Sequence, residues 1–368
     1  MIRLLFYQGN IHKRRPMRRY LTRLVIINAL ICALFGLLFA APVGQPAAGL
    51  VIGLLFGVTT GLLVEIIFRR WQGRWLHRRR MLFLVLREVL LLLYLVMPAY
   101  LVYFNLRPAR LAVGAIPDEL AQDAEEVTLQ TSDGISLSGW YIPPQNGAAI
   151  IALHGLGSNR MGVLPHALLL REQGYGVLMM DMRAHGASGG EIFAEGWNAP
   201  LDMRAMVEYL QARPEVQHIG ALGLSAGAVS ILRGGAAHEA VEAFIAEGTG
   251  VGAADDLLDP LTPHLAVAGL LVPDYWISYR FAELFTGQKA GPSLREQVKH
   301  IAPRPILFIA GEESMWEPEL AAKYAASAGA SAEVWVVSGA AHIAGVRTAP
   351  AEYTARVGGF LGASLLEG

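Results

Sequence analysis

The sequence predicts an α/β fold, a mainly parallel eight-stranded sheet flanked by helices, preceded by three transmembrane helices. Three observations carry that expectation. Hydrophobic residues make up 54% of the 368-residue chain and charged residues only 17%, where an ordinary soluble domain has roughly 45–50% and about 25%. The charge is unevenly spread: residues 1–110 hold 16 Lys and Arg against two acids, Glu65 and Glu88, and the remainder holds 14 against 29. Such a split marks a basic membrane or nucleic-acid segment joined to a separate acidic domain. Finally, from about residue 125 onward short apolar runs alternate with amphipathic stretches, the pattern of strands and covering helices.

Three apolar runs, at about 24–41, 47–68 and 81–104, form the expected membrane domain, residues 1–104. Each has the roughly 17–25 residues that a helix needs to cross a hydrocarbon core. Glu65 sits four residues before Arg69, a spacing that permits a local pair, and Arg87 and Glu88 lie close to the start of the third run. No charge falls at mid-span, which argues against an ion or proton path. Basic residues cluster at 12–23 and 69–80, whereas the 41–46 loop is uncharged. The positive-inside rule then places the N-terminus in the cytoplasm and the C-terminal domain on the opposite, extracytoplasmic face of an integral cell-membrane protein. Because the basic clusters flank apolar runs, topology explains them more simply than a nucleic-acid partner does. A cleaved signal peptide is the weaker reading of the first run, which lacks a good A-x-A site.

Residues 105–124, with Pro108 and Pro117, read as a linker, and 125–368 as one domain. Strands are expected at Glu126–Gln130, Ser136–Ile142, Ala148–Leu153, Gly176–Asp181, Ile219–Leu224, Ala243–Ala246, Ile306–Ala310 and Glu333–Val337. Helical patterns such as Gly162–Gln173, Ala199–Ala212 and Glu319–Ala328 lie between them. A parallel sheet of this kind gathers ligands at the carboxyl ends of its strands.

The chemistry-bearing motifs fall at those ends. Gly223-Leu224-Ser225-Ala226-Gly227 follows a strand and opens an Ala-rich helix. A serine on so sharp a turn needs small neighbours two residues away on either side, and the helix start helps hold a developing oxyanion. His154-Gly155-Leu156-Gly157 ends an earlier strand, and Gly339-Ala340-Ala341-His342 follows the last one, placing an imidazole where it can act as base toward Ser225. From Asp133 through His342 the chain resembles the α/β-hydrolase superfamily of serine hydrolases, in particular members with D-G-x-x-L-x-G-W-Y-x-P (here Asp133–Pro143) ahead of an H-G-x-x-x-N-R turn (His154–Arg160). The resemblance covers nearly all of the C-terminal domain and none of the membrane part. It implies Ser225 as nucleophile, His342 as general base, the Leu156 and Ala226 amides as oxyanion hole, and Asp181–Gly189 as a structural loop.

The third member departs from the family pattern. An Asp is usual three residues after the glycine that ends the penultimate strand, and Ser314 stands there instead. A carboxylate is needed to hold the imidazole tautomer. Glu313 is the first choice, because it is adjacent and a longer side chain compensates for a shift; Glu317 and then Glu247 are the alternatives, followed by no acid at all.

The other features have plainer readings. His154 and His185 are expected to hydrogen-bond within their loops rather than catalyse. His166, His218, His238, His264 and His300 lack ligand spacing, so no metal is expected, and a single cysteine, Cys32, excludes a disulfide framework. Gly248-Thr249-Gly250-Val251-Gly252 only faintly resembles a dinucleotide turn, and no cofactor is implied. Residues 251–300 are too long for a simple connection; their oily stretch, Ala266–Pro273 with Tyr275, Trp276, Tyr279, Phe281 and Phe285, reads as a lid shaping an acyl pocket, in preference to helices that merely extend the core.

The expected function is a membrane-anchored serine hydrolase that cleaves an ester, thioester or amide bond of a small-molecule or lipid-like acyl substrate through a Ser-His-acid triad and an acyl-enzyme. The alternative, motivated by Ser314, is a catalytically inactive hydrolase fold acting as a membrane-tethered binding or scaffold protein.

Overall fold

In the computed structural model the described residues are 25–34, 37, 46–70, 86, 89–90, 96–256 and 274–367. The chain divides into two compact units, Met1–Leu91 and Leu92–Gly368.

In the first unit residues 25–34 are helical, and helix α1 runs from Pro46 to Arg70. The two pack closely because α1 presents glycines every fourth residue. A Cβ on Gly53 would stand 2.1 Å from the Cys32 carbonyl oxygen, and one on Gly57 would stand 2.5 Å from the Ala29 Cα. Small residues at this spacing let helix backbones approach. The Asn28 amide then donates to the Gly57 carbonyl at 2.7 Å and to the Thr60 hydroxyl at 2.8 Å. Among the residues described in full, side chains included, no helix is long and apolar enough to cross a membrane. The three expected spans are therefore not shown as such. Much of the first and third runs and several side chains of the second lie outside the described residues.

The second unit begins with helix α2, Met97–Asn105. The end of the third apolar run thus belongs to this unit, where Val102 and Leu106 pack on Ala282. The segment expected as a linker is docked on the domain. Leu120 is fully buried, the Leu106 carbonyl accepts from Phe193 N–H at 2.8 Å, and the Arg110 guanidinium donates to the carbonyls of Gly186, Ser188 and Gly190.

Eight strands follow, at the expected places: β1 Glu125–Gln130, β2 Ser136–Ile142, β3 Ala148–Leu153, β4 Gly176–Met180, β5 His218–Leu224, β6 Ala243–Glu247, β7 Ile306–Gly311 and β8 Ala332–Val337. They form one sheet in the order β1-β2-β4-β3-β5-β6-β7-β8. Pairings β1–β2 and β2–β4 are antiparallel and the rest parallel. Strands β3 to β7 are buried along their length except at His218, which opens β5, as continuous apolar runs covered on both faces must be. Edge strand β1 alternates exposed and buried residues over its second half.

Helices cover both faces. One face packs α4 (Ala199–Gln211), α5 (Ala226–Ala237), α7 (Leu294–Ile301) and α8 (Glu317–Ala328) through residues such as Met203, Leu232, Val298 and Tyr324. The other packs α3 (Leu164–Glu172) and α9 (Pro350–Leu361) through Leu170, Tyr353 and Leu361. The insertion between β6 and β7 contains α6 (Asp274–Thr286) and α7. The core of the expected lid, residues 257–273, lies outside the described residues.

Register places the functional ends together. Leu153 pairs with Gly223, Leu224 with Glu247, and Gly311 with Val337. The loops after β3, β5, β6, β7 and β8 therefore leave the sheet along one edge.

Candidate active site

Ser225 sits between β5 and α5 with φ 54° and ψ −112°, a left-handed backbone that costs a non-glycine residue about 1–3 kcal/mol. The turn is held because the Ser225 N–H donates to the Glu247 carbonyl at 2.8 Å. Its glycines are required by close approach. A Cβ on Gly223 would meet the Gly227 carbonyl at 2.4 Å, and one on Gly227 would meet the Leu153 carbonyl oxygen at 2.3 Å. The turn lifts the Ser225 hydroxyl toward the loop after β8, where Oγ lies 3.0 Å from His342 Nε2.

The other ring nitrogen, His342 Nδ1, is 2.5 Å from Glu317 Oε1. The carboxylate at the ring is thus that of Glu317, the second choice from the sequence, whereas the side chain of Glu313, the first choice, is exposed. The Ser314 N–H donates back to the Gly311 carbonyl at 3.2 Å, so the chain turns tightly at the end of β7 and Glu313 faces outward. Glu317, the first residue of α8, is brought back to the strand end, where its Oε2 accepts from Gly311 N–H at 2.9 Å. Ser314, at the usual acid position, hydrogen-bonds the same carboxylate. Burial pushes the Glu317 carboxyl up, but the hydrogen bonds from His342, Gly311 and Ser314 outweigh it and hold the group below its ordinary range. The Glu317 hydrogen bond correspondingly raises His342, against burial.

Glu247, the remaining alternative, is a brace. Its carboxylate accepts from Gly345 N–H at 2.9 Å and from the Tyr353 hydroxyl at 2.7 Å, with His166 Nε2 at 3.4 Å. Burial pushes this carboxyl up, but those partners hold it below its usual value. Through its carbonyl Glu247 ties the Ser225 turn, and through its carboxylate the segment just after His342. Neither Tyr353 nor His166 carries a local signal for this role, since the contacts cross 106 and 81 residues.

The loop after β3 supplies the second candidate oxyanion donor. His154 Nε2 accepts from Met182 N–H at 3.1 Å, and His185 Nε2 accepts from Gly157 N–H at 3.1 Å. Their rings meet edge to face at 5.0 Å. Burial lowers both histidines, His154 to about 4, so they are neutral props that shape the turn carrying Leu156. The Ala226 N–H, at the first position of α5, has no acceptor within its helix. Asp181 accepts from the Arg160 backbone and guanidinium at 2.7 and 2.8 Å and from Ala187 N–H at 2.8 Å. It thereby ties the β3 and β4 loops to each other. No group of His, Cys, Asp and Glu able to hold a metal ion occurs among the described residues.

An eight-stranded, mostly parallel sheet with a strained serine turn after β5 and a histidine loop after β8 decides the architecture. The domain is an α/β hydrolase by fold. A family of serine aminopeptidases, S33, matches residues 144–299 of the hydrolase domain, a stretch that includes Ser225 and stops short of Glu317 and His342. Among solved structures, an esterase from Pyrococcus furiosus is similar at TM-score 0.57 and 28% identity, over 71% of this chain and 98% of that one. The α/β hydrolase GrgF from Penicillium sp. sh18 shares the fold at TM-score 0.52 and 20% identity, over 66% of this chain and 99% of that one. Among curated proteins, the uncharacterized YfhR from Escherichia coli O157:H7 is 27% identical over 198 residues, or 51% of this chain and 62% of that protein. The uncharacterized YqkD from Bacillus subtilis is 26% identical over 196 residues, 50% of this chain and 61% of that one. The chain thus spans about three fifths of the length of these relatives. The family match and the likeness to the Pyrococcus structure support a serine hydrolase at this coarse level.

Proposed function

We propose that the protein is a membrane-tethered serine hydrolase that cleaves an ester, thioester or amide bond through an acyl-enzyme. The observation that carries the reading is the continuous relay from Glu317 Oε1 to His342 Nδ1 at 2.5 Å and from His342 Nε2 to Ser225 Oγ at 3.0 Å. His342 takes the Ser225 proton as Oγ attacks the acyl carbon, and the Glu317 carboxylate holds the imidazole tautomer and stabilises the imidazolium. The tetrahedral oxyanion is received by the Leu156 and Ala226 N–H groups, an effect on the order of 3–4 kcal/mol per donor. Collapse expels the leaving group, which takes the proton from His342, and water repeats the sequence on the acyl-enzyme. An ester is the preferred substrate class, in keeping with the likeness to the Pyrococcus esterase. The scaffold alternative loses its motive, since Glu317 supplies the carboxylate that Ser314 does not.

The tether is supported by the apolar surface of the first unit. Ile26, Leu30 and Leu34 on the first helix and Leu55, Leu63 and Ile66 on α1 are all half exposed or nearly so, between 52% and 65%, and an apolar patch of that kind calls for a membrane or a partner. The basic flanks orient it with the N-terminus in the cytoplasm and the hydrolase domain across the bilayer.

The test is fluorophosphonate labelling and hydrolysis of short-chain p-nitrophenyl esters by the full chain. Labelling and turnover in the wild type, both lost in Ser225→Ala, support the reading; no labelling, or equal labelling of the variant, overturns it. Reporter fusions after Phe104 test the topology, and a cytoplasmic signal there overturns the orientation.

A further inference from the structure

Outside the triad, the feature of the hydrolase domain with the least structural justification is Glu195. It follows Ala194 in the left-handed region, both at φ 50°, and precedes Gly196 at φ 72°. Left-handed backbone suits glycine and, less well, Asn or Asp, but not Ala or Glu. Gly196 is needed where it is, because a Cβ there would stand 3.2 Å from Ser230 Oγ on α5. Glu195 has no comparable reason. Its carboxylate takes part in no hydrogen bond or ion pair among the described residues; burial raises it above the usual carboxylate range, opposed only by the nearby charge of Arg233. Arg233 itself is committed elsewhere, donating to the carbonyls of Pro292 and Gly252. Glu195 is half-buried and its charge supports that of the buried Arg233, but neither fact calls for a left-handed backbone, and non-glycine outliers of this kind cluster at binding and catalytic sites.

Glu195 lines a cavity of about 250 Å³ between α2, α6 and the loop after β6. Val102, Val251 and Ala282 give it apolar walls, and Asn105 and Tyr279 also line it. The Tyr279 ring is fixed, stacked on Trp197 at 6.4 Å, with its hydroxyl turned to the Val251 carbonyl at 3.4 Å. One carboxylate, an aromatic ring and apolar walls in one small cavity are the elements that recognise an organic cation. The carboxylate gains a hydrogen-bonded cation in addition to the nearby charge of Arg233, and the alkyl groups displace water from the walls. The cavity is separate from the Ser225–His342 pair but close to it. Ser230, against which Gly196 packs, lies five residues along α5 from Ser225, about 7.5 Å by helix rise. The loop that carries Val251 begins at Gly248, whose Cβ would touch the His342 ring at 3.1 Å.

We propose that this cavity is a binding site for the ammonium group of a small organic cation, with Glu195 as its counter-ion. The inference does not rest on hydrolysis, so its test reads binding. Choline and n-butylammonium, with their neutral isosteres 3,3-dimethyl-1-butanol and 1-butanol, are titrated calorimetrically into the full chain in non-ionic detergent. At least one cation should bind tenfold or more tightly than its isostere. Glu195→Gln should abolish that preference, and Ser225→Ala should retain it. Leu101→Arg, which sets a like charge at the cavity lining on an exposed position, should weaken the cation at least fivefold and serves if Glu195→Gln fails to fold. Equal binding of cations and isosteres, no binding of either cation, or a preference that survives both cavity variants overturns the proposal. Loss of the preference in Ser225→Ala would assign the cation to the catalytic centre and equally overturn it. Failure of the proposed hydrolase activity would leave these binding outcomes unchanged.

Discussion

Glu317 Oε1 and His342 Nδ1 lie 2.5 Å apart across 25 residues of chain, and the carboxylate that makes this contact comes three residues later than the usual position, which Ser314 occupies. The acid is displaced along the chain yet returned to the same place in space, because the turn at Ser314 and the Gly311 N–H bring the start of α8 back over the end of β7.

Glu317→Gln is expected to lower kcat/KM for a p-nitrophenyl ester by about 10²–10⁴, as loss of the orienting carboxylate does in serine hydrolases. Glu313→Gln should stay within about threefold of wild type, since its side chain points to solvent. Steady-state kinetics of the two variants side by side check the assignment; the reverse ranking would sink it.

The pH profile follows from His342. The imidazole works as a base only when neutral, and the Glu317 hydrogen bond holds its pKa above 6.5. The acid limb of kcat/KM should therefore have its midpoint above pH 6.5 and move down in Glu317→Gln. The same coupling affects folding. His342, raised in the fold, contributes stability that is present below its ordinary pKa and is lost as pH rises through the raised value. Glu317, lowered in the fold, contributes stability present above 4.5 and lost as pH falls through the lowered value. Denaturant melts of wild type and Glu317→Gln should differ most between those limits, narrow as pH rises through the raised His342 value, and converge only as pH falls through the lowered Glu317 value.

Gly227→Ala places a methyl carbon 2.3 Å from the Leu153 carbonyl oxygen, backbone that cannot move aside cheaply. It should cost roughly 1–3 kcal/mol of stability and, by prising β3 from the nucleophile turn, remove the proposed hydrolase activity. A thermal melt at wild-type temperature with full activity would contradict the close approach.

Tyr353→Phe removes the 2.7 Å hydrogen bond to the buried Glu247 carboxylate. Leaving that acceptor short of a partner should destabilise the domain by about 1–3 kcal/mol. Because Glu247 braces the Ser225 turn and the segment after His342, kcat should fall more than KM rises. Chemical denaturation together with initial-rate kinetics separates the two effects.

Much of the fold is legible in local pattern. Strands β3 to β7 are apolar runs bounded by turn residues because each is covered on both faces, and β5 and α5 meet at a Gly-x-Ser-x-Gly turn whose spacing admits few alternatives. The acid was not legible, because Glu313, Glu317 and Glu247 differ locally only in distance from a strand end. What separates them is how tightly the chain turns after β7 and which backbone N–H groups remain free to receive a carboxylate. Glu195 gave no local signal at all. The cavity it lines forms where α2 packs on α6, a contact between distant segments.

By itself, then, the sequence determined the eight strands, the strained serine turn and the histidine loop, because these rest on hydrophobic period and on glycine at fixed offsets, which act over a few residues. Only the tertiary structure decided which carboxylate faces His342, that the Glu247 carboxylate accepts from Gly345 and Tyr353 instead, that residues 105–124 dock on the domain, and that Glu195 lines a cavity. Each of those depends on which groups from separate elements are left to share a hydrogen bond or a void once the sheet has closed.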